Sequence, residues 1–535
     1  MTSPETDRIL ARMIEAARRR RLGRRGFMQG ALATGMGVGA ATGLWTGQVM
    51  AQTPKRGGIF RVGINDGNTG DQLDPGLIQS IFEIQISHCH RSWLTEITDT
   101  NQLGPDLATG WSAAEGAAEW RFELARDVTF HSGRALTAAD VVASLNHHRG
   151  AQSTSAAASL LADVTDVRAD GDHAVIITLA AGNADLPYLL SDYHIQICPA
   201  NEDGSIDWQS GDGTGPYRIV SYEPGVGAEL ERHEGWHREG AWFDGIRLTV
   251  LNDPNARQTA LVTGEVDAIA TVDLKTVGLL QNAPGIQIDD VASGAHVTMP
   301  MFCDVAPFDN LDVRLAMKYA INREELIEKI LFGYGSLGND HPIAPSLPYW
   351  ADLPQREYDP ERARFHMDRA GLGPITVDLS TTDSVLAGGV DLCVLFAEQA
   401  RAAGITINVV REPADGYWSN VWLKKPFSLI SWGARPTPDV MFSLAYKADA
   451  AWNESHWQNE RFNELLALAK AELDDTKRAE MYAEMQLLCR DDGGTIVPFF
   501  QNRVMARRDN VMHGPNIASN WEMDGARAYH RWWFA

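Results

Sequence analysis

Trp120-Arg-Phe-Glu-Leu-Ala-Arg-Asp-Val-Thr-Phe-His-Ser-Gly133, followed by Leu136-Thr-Ala-Ala-Asp-Val-Val142, decides the fold class. Residues 120–124 and 128–131 read as strands, and Thr137-Ala138-Ala139-Asp140 starts a helix carrying Val141, Val142 and Leu145. The apolar period changes from two to 3.6 residues within this stretch, and the same change recurs in both directions. Upstream, residues 58–63 alternate as a short strand, and 65–75 form a polar Gly/Asp loop. Downstream, strands are expected at 164–167 and 173–179, then a Gly/Asp-rich break at 201–215, then strands at 217–220, 228–232 and 246–250. A helix at 255–263 stops before Gly264, and helical spacing runs through 313–331, 360–370, 390–403 and 459–489. Strands at 376–380, 406–411 and 427–432 separate the later helices. Strands and helices interleave throughout, which predicts an α/β fold with mixed sheets.

Residues 1–51 have the three-part layout of a secretory peptide. A basic run, Arg18 to Arg21, precedes Gly23-Arg24-Arg25-Gly26-Phe27-Met28-Gln29, and an uncharged stretch ends in Val49-Met50-Ala51. The paired arginines identify a twin-arginine signal, with the mature chain starting at Gln52 and exported already folded, to the periplasm. Gly and Thr make residues 31–50 too weakly hydrophobic for a membrane anchor. Without the signal's eight Arg and three acids, 39 basic residues face 67 acidic ones, a net charge of −28. Nucleic acid and anionic membranes are poor partners for such a surface. The mature length exceeds what one hydrophobic core serves, so two or more domains are expected. Cys89, Cys198, Cys303, Cys393 and Cys489 are scattered without a CxxC pair, so they give neither a disulfide framework nor a zinc site.

Reactive motifs are few. His233-Glu234-Gly235-Trp236-His237 is a literal HExxH, but zinc chemistry needs both histidines on one helical face. The alternating residues before it and Gly235 at its centre predict a strand end and a surface turn instead. His88-Cys89-His90 and His147-His148 are candidate soft ligands whose neighbours would point apart on a helix or strand. No nucleophile elbow or Walker loop is present. The sequence therefore predicts no enzyme, no metal centre and no cofactor. Recognition chemistry is densest in Ser431-Trp432-Gly433-Ala434-Arg435-Pro436-Thr437-Pro438-Asp439 and Ala451-Trp452-Asn453-Glu454-Ser455-His456-Trp457. Here aromatic walls, a guanidinium able to clamp a carboxylate and an amide follow a strand, where α/β folds place ligands. Trp432, Arg435, Asp439, Trp452 and Asn453 are the candidate ligand-binding residues.

Taken in order, several segments resemble the periplasmic solute-binding proteins of the peptide/nickel class that serve ABC importers, family 5 of the bacterial extracellular solute-binding proteins. They are Gly57-Gly58-Ile59-Phe60-Arg61-Val62-Gly63, residues 103–111, the opening stretch, Gly213-Thr-Gly-Pro-Tyr217, Thr263-Gly-Glu-Val-Asp267, residues 312–323 and Tyr358-Asp-Pro-Glu-Arg-Ala363. The resemblance implies a two-lobed Venus-flytrap fold: lobe I from 52–93, 211–300 and 495–535, an inserted subdomain at 94–210, and lobe II at 301–494. It further implies a solute held between lobes that close over it, a membrane permease that reads the closed form, and a monomer. Peptide binders of this class usually carry an aspartate three residues after the Trp432 equivalent, to meet a peptide's α-amino group; Arg435 stands there and favours a carboxylate. The expected solute is small, nitrogenous and carboxylate-bearing: a peptide with Asp439 taking the amine, an amino-acid derivative or an opine-like conjugate. Arg149, Tyr193 and Asn68 are added as ligand-binding candidates. A metal-chelate receptor and a secreted zinc hydrolase using His233, Glu234 and His237 are the competing readings.

Overall fold

Two strands that the sequence conceals hold the architecture together. In the computed structural model, which describes residues 54–150 and 152–535, Ile286–Pro300 and Phe499–Arg508 pair antiparallel from Ile286 opposite Arg508 to His296 opposite Phe500. Asp289, Asp290, Ser293 and Gly294 interrupt the alternation that would have announced the longer strand. The twin-arginine segment lies outside the described residues.

The largest sheet runs in the order Ile430–Trp432, Ile286–Pro300, Phe499–Arg508, Ala268–Ile269, Ile59–Ile64, Gly245–Val250, Gly227–Arg232 and Tyr217–Glu223. Ile59–Ile64 pairs parallel with both Gly245–Val250 and Ala268–Ile269, whereas the other neighbours along this order are antiparallel, giving a mixed sheet. The long strand serves several cores in turn. Ile286 packs with Leu261 and Val504, Val291 lies against the core of Phe60, Ile246 and Trp532, and Val297 and Met299 enter the core of Met317, Phe396 and Phe442. Between these ends the register slips at Val291/Ala295, where the Ser293 hydroxyl donates to the Gln501 carbonyl (2.7 Å). Such a bulge bends a strand and raises its twist. Gly294 sits in a tight place there: a Cβ would lie 2.9 Å from the Leu347 Cδ1 and 3.2 Å from the Ala434 Cβ.

A four-stranded antiparallel sheet, ordered Ala108–Ala113, Glu119–Leu124, Ala174–Leu179 and Val164–Ala169, builds a separate core around Phe122, Val141 and Ile177. The helix Ala138–His147 covers it, with Thr137 and Asp140 forming a capping box as the sequence predicts. Buried charges fix this unit to the chain's C-terminal end. Arg238 donates to Glu96 (2.7 and 3.0 Å) and to Asp106 (3.2 Å), and Arg527 Nη1 lies 3.1 Å from the same Glu96.

Three expectations change in the structure. Residues 128–131 are not a strand but a tight loop closed by the amide of Phe130 on the Arg134 carbonyl, with one bridge between Thr129 and Ala135. The helical run 313–331 is two helices, Leu311–Tyr319 and Arg323–Ile330, because the Asn322 side chain accepts the Glu325 amide and starts the second. Asp474 likewise divides 459–489 into Glu460–Ala471 and Asp475–Asp491. Apolar periodicity alone cannot register such caps, since the residues on either side stay in phase.

Asp340 joins the pieces of the largest core. It is fully buried, accepts from Arg323 Nη2 (2.7 Å) and Arg356 Nε (3.0 Å), and lies beside Lys318, whose ammonium donates to the carbonyls of Cys489, Arg490 and Gly493. Burial alone would push its carboxyl up, but the charges of Arg323, Lys318 and Arg356 hold it below the ordinary value. Removing one partner from such a cluster leaves uncompensated charge in the interior. Asp340→Ala is expected to lower unfolding stability by about 3–5 kcal/mol in urea titrations. Glu229→Ala, which breaks the half-exposed pair with Arg247, changes it by no more than about 1 kcal/mol.

Candidate functional site

At the sheet edge, Trp432 pairs opposite His296, and the chain then runs through Arg435 to Thr437, whose hydroxyl caps the helix Pro438–Ala445. The Trp432 indole donates to Glu454 Oε2 (3.2 Å), the Trp422 indole donates to the same oxygen (3.2 Å), and the Thr298 hydroxyl donates to Oε1 (2.6 Å). Three separate segments thus converge on one buried carboxyl group. Burial pushes Glu454 up to about 7, against the pull of these three hydrogen bonds. Around it the rings of Trp422, Trp432 and Trp452 stand 5.5 to 6.3 Å apart at steep angles, and Trp452 is 38 % exposed. The result is an aromatic cluster in which the indole N–H groups of Trp422 and Trp432 point inward to Glu454, Trp432 is buried, and Trp452 is the most exposed ring.

Arg435 lies over the Trp432 ring, 5.7 Å from its centroid, and donates only to the backbone carbonyls of Gly433 (3.0 Å) and Ala434 (3.3 Å). Among the described residues it forms no ion pair with a carboxylate. Burial pulls its guanidinium below the ordinary value, and the neighbouring Asp192 and Tyr193 oppose that effect. Tyr193 follows the short helix Leu186–Leu189 and packs with Ile78 and Ile84, and its ring meets Trp521 edge-on at 5.0 Å. Arg503 holds that tryptophan's loop through the carbonyls of Ser519 (2.7 Å) and Asn520 (3.0 Å) and an ion pair with Glu522. His296 completes the group: Nδ1 donates to the Gly294 carbonyl (2.9 Å), which leaves buried Nε2 as an acceptor without a partner. Burial and the charge of Arg435 pull this imidazole down to about 4, so it is neutral at pH 7. A guanidinium, a neutral imidazole and a cluster of indoles thus lie on neighbouring segments, and groups of this chemistry can meet an organic anion.

The structure brings together Trp432, Arg435, Trp452 and Tyr193, and separates the other candidates. Asp439 turns instead toward Asp185, Arg478 and Lys470; burial and the Asp185 charge push it up to about 7, and its Oδ1 has no partner. Asn453 is a turn residue whose amide donates to the Trp457 carbonyl (2.8 Å), shaping the loop that delivers Glu454. Arg149 is engaged by Asn146 (2.7 Å) and the Val164 carbonyl (2.6 Å), and Asn68 by Asp71 (2.9 Å) and the Gly70 amide (2.9 Å). Glu454, His296, Thr298 and Trp422 were not among the candidates. Only Glu454 had a signal, its place in the run 451–457.

The HExxH stretch follows the strand Gly227–Arg232 into turns and forms no helix. Glu234 is exposed between Arg56 and Arg232, the His233 ring packs edge-on against His131, and His237 Nε2 lies 3.5 Å from Asp106. His88 and His90 lie in the helix Ile81–His90, each bonded to the carbonyl four residues earlier (2.8 Å). Among the described residues no group of three or more His, Cys, Asp or Glu is arranged to hold a metal ion.

Comparison with known proteins gives one family. Residues 102–454 match the bacterial extracellular solute-binding proteins, family 5. The peptide transport periplasmic protein SapA of Salmonella typhimurium is 25% identical over 421 residues, covering 72% of this chain and 76% of that protein. The solved structure of HbpA2 from Haemophilus parasuis superposes with a TM-score of 0.79 at 18% identity, covering 88% of this chain and 99% of the other. AgaA from A. tumefaciens R10, solved with agropinic acid, gives a TM-score of 0.70 at 18% identity, covering 89% and 99%. The fold is therefore that of the two-lobed periplasmic binding proteins.

Because the Glu454 carboxyl stands above its ordinary 4.5 in the folded chain, the folded protein keeps a proton that the unfolded chain releases as pH rises. Its contribution is complete below pH 4.5 and is lost as pH rises through about 7. Relative to Glu454→Gln, the wild type should lose on the order of 3 kcal/mol across that window. Unfolding titrations of the two proteins at a series of pH values measure this difference, and other titrating groups cancel in it.

Proposed function

The chain belongs to the bacterial extracellular solute-binding proteins of family 5, and from that premise we propose that it captures a small nitrogenous solute bearing a carboxylate and delivers it to an ABC permease. Arg435 carries this reading. A guanidinium beside an indole face, without a carboxylate of its own, provides a paired donor for the solute's acid group. His296 Nε2 accepts an N–H or O–H from the same solute, and the wall of Trp432, Trp422 and Trp452 covers its apolar body. A free peptide amine finds no exposed aspartate beside Trp432, because Asp439 is turned away. An amino-acid derivative or opine-like conjugate fits these groups better than a simple dipeptide.

In this reading residues 52–93, 211–300 and 495–535 form the first lobe, with 94–210 inserted into it, and 301–494 form the second. Solute bridging Tyr193 on one side and Arg435 on the other stabilises the closed form, which the permease reads. Export by the twin-arginine route belongs to the same reading.

Calorimetric titration of the mature chain with agropinic acid, a tetrapeptide and a nickel–histidine chelate tests it. The acid-bearing conjugate is expected to bind, and Arg435→Ala to weaken it by about 30-fold or more, the usual effect of removing one side of a buried charged hydrogen bond. Binding that ignores Arg435→Ala, or a preference for the chelate that depends on His296, would reject the carboxylate.

A further inference from the structure

Away from the Trp432 wall, one buried ion pair joins the inserted unit to the second lobe. Asp185 immediately precedes the short helix Leu186–Leu189 without a side-chain cap bond to it, and its Oδ1 lies 2.5 Å from Arg478 Nη2 of the helix Asp475–Asp491. Its other oxygen accepts from the Thr437 hydroxyl, only two residues beyond Arg435. The side chains of Asp185 and Arg478 are 1 % and 4 % exposed. Around this pair the Ala184 amide donates to the Lys470 carbonyl (2.7 Å), and the Lys470 ammonium meets Asp163 (3.1 Å).

We propose that Asp185 and Arg478 are the positioning pair for solute capture: they hold the inserted unit against the second lobe and so bring Tyr193 and Arg435 within reach of one solute. The inference rests on the solute-receptor reading and adds to it a source of closure outside the solute's own contacts.

Two observations distinguish this pair from an ordinary core ion pair. Arg478 is prearranged within its own lobe, because its Nε donates to the Ala469 carbonyl (3.2 Å) and Nη1 to the Tyr349 hydroxyl (2.9 Å). It keeps these partners when Asp185 departs. A groove of about 640 Å³ lined by Trp111, Tyr188, Tyr349 and Trp350 also runs alongside Arg478, so water reaches both charges as they separate. On the opposite side the inserted unit cannot yield, since Glu96 and Asp106 are gripped by Arg238 and Arg527. Parting the Asp185 pair is therefore the easier motion, and it moves the inserted unit together with the first lobe. Thr437 links the pair directly to the Arg435 loop, so the anion-binding guanidinium and the latch share one short segment.

Small-angle scattering and amide exchange of the mature chain without added solute test the proposal. Asp185→Asn is expected to raise the radius of gyration and to speed exchange at the Ala184 amide by about tenfold or more, the scale of a lost charged hydrogen bond. Exchange within the strand Ile375–Thr381 should not change. Asp163→Ala removes only the partner of Lys470 and should shift Ala184 exchange in the same direction, which keeps the test open if Asp185→Asn does not fold. A radius and an Ala184 exchange rate that ignore both substitutions would make this an ordinary structural ion pair and overturn the proposal. Neither readout uses solute, so its outcome is independent of the Arg435→Ala titration.

Discussion

The antiparallel ladder between Ile286–Pro300 and Phe499–Arg508 is the constraint on which the other features depend. Backbone hydrogen bonds cannot be left unpaired in a protein interior, so a strand that leaves one core for another must carry its partner with it. Here both strands do so, from Ile286 opposite Arg508 to His296 opposite Phe500. The one register slip, at Val291/Ala295, falls where the strand passes between cores. That slip, with Gly294 pressed against Leu347 and Ala434, lets the Arg435 loop lie next to His296.

Where units far apart in sequence meet, buried guanidinium and carboxylate groups join them. Glu96 and Asp106 face Arg238 and Arg527, and Asp185 faces Arg478. Buried ion pairs add little net stability compared with well-packed apolar groups, because desolvation offsets much of the attraction. They are costly to mispair, however, and so admit one docking arrangement among many apolar ones. The two junctions differ in redundancy: the first involves several charges, whereas the second has a single buried ion pair beside a groove of about 640 Å³.

The face around Trp432, Arg435 and Trp452 differs electrostatically from the chain as a whole. An acidic chain, −23 overall, presents at this face a guanidinium with no acidic partner among the described residues. Glu454 lies only a few residues from Trp452 in sequence, but two indole N–H groups and a hydroxyl enclose its carboxyl, and burial raises it to about 7. The indoles therefore contribute shape and apolar area, the Glu454 charge is diminished by burial, and Arg435 with its neighbour Asp192 supplies the remaining charge.

Local patterning was enough to specify the α/β class, the family resemblance and most element positions, because apolar periodicity and caps are local: the Thr137–Asp140 box and the Gly264 stop are written within a few residues. It also singled out the Trp432–Arg435 loop, since a guanidinium between tryptophans just after a strand has few structural uses. The long strand Ile286–Pro300 stayed hidden because its pairing is with residues some two hundred positions away, and its acids and bulge erase the alternation. Glu454 and His296 were invisible for a related reason: their roles arise from burial and from which groups surround them, and no local pattern encodes either. Asn68, Arg149 and Asp439 looked like site residues by type and neighbourhood, and tertiary packing directed each elsewhere. Tertiary structure alone decided which polar groups face one another, because hydrogen-bond partners and dielectric surroundings are properties of the assembled chain.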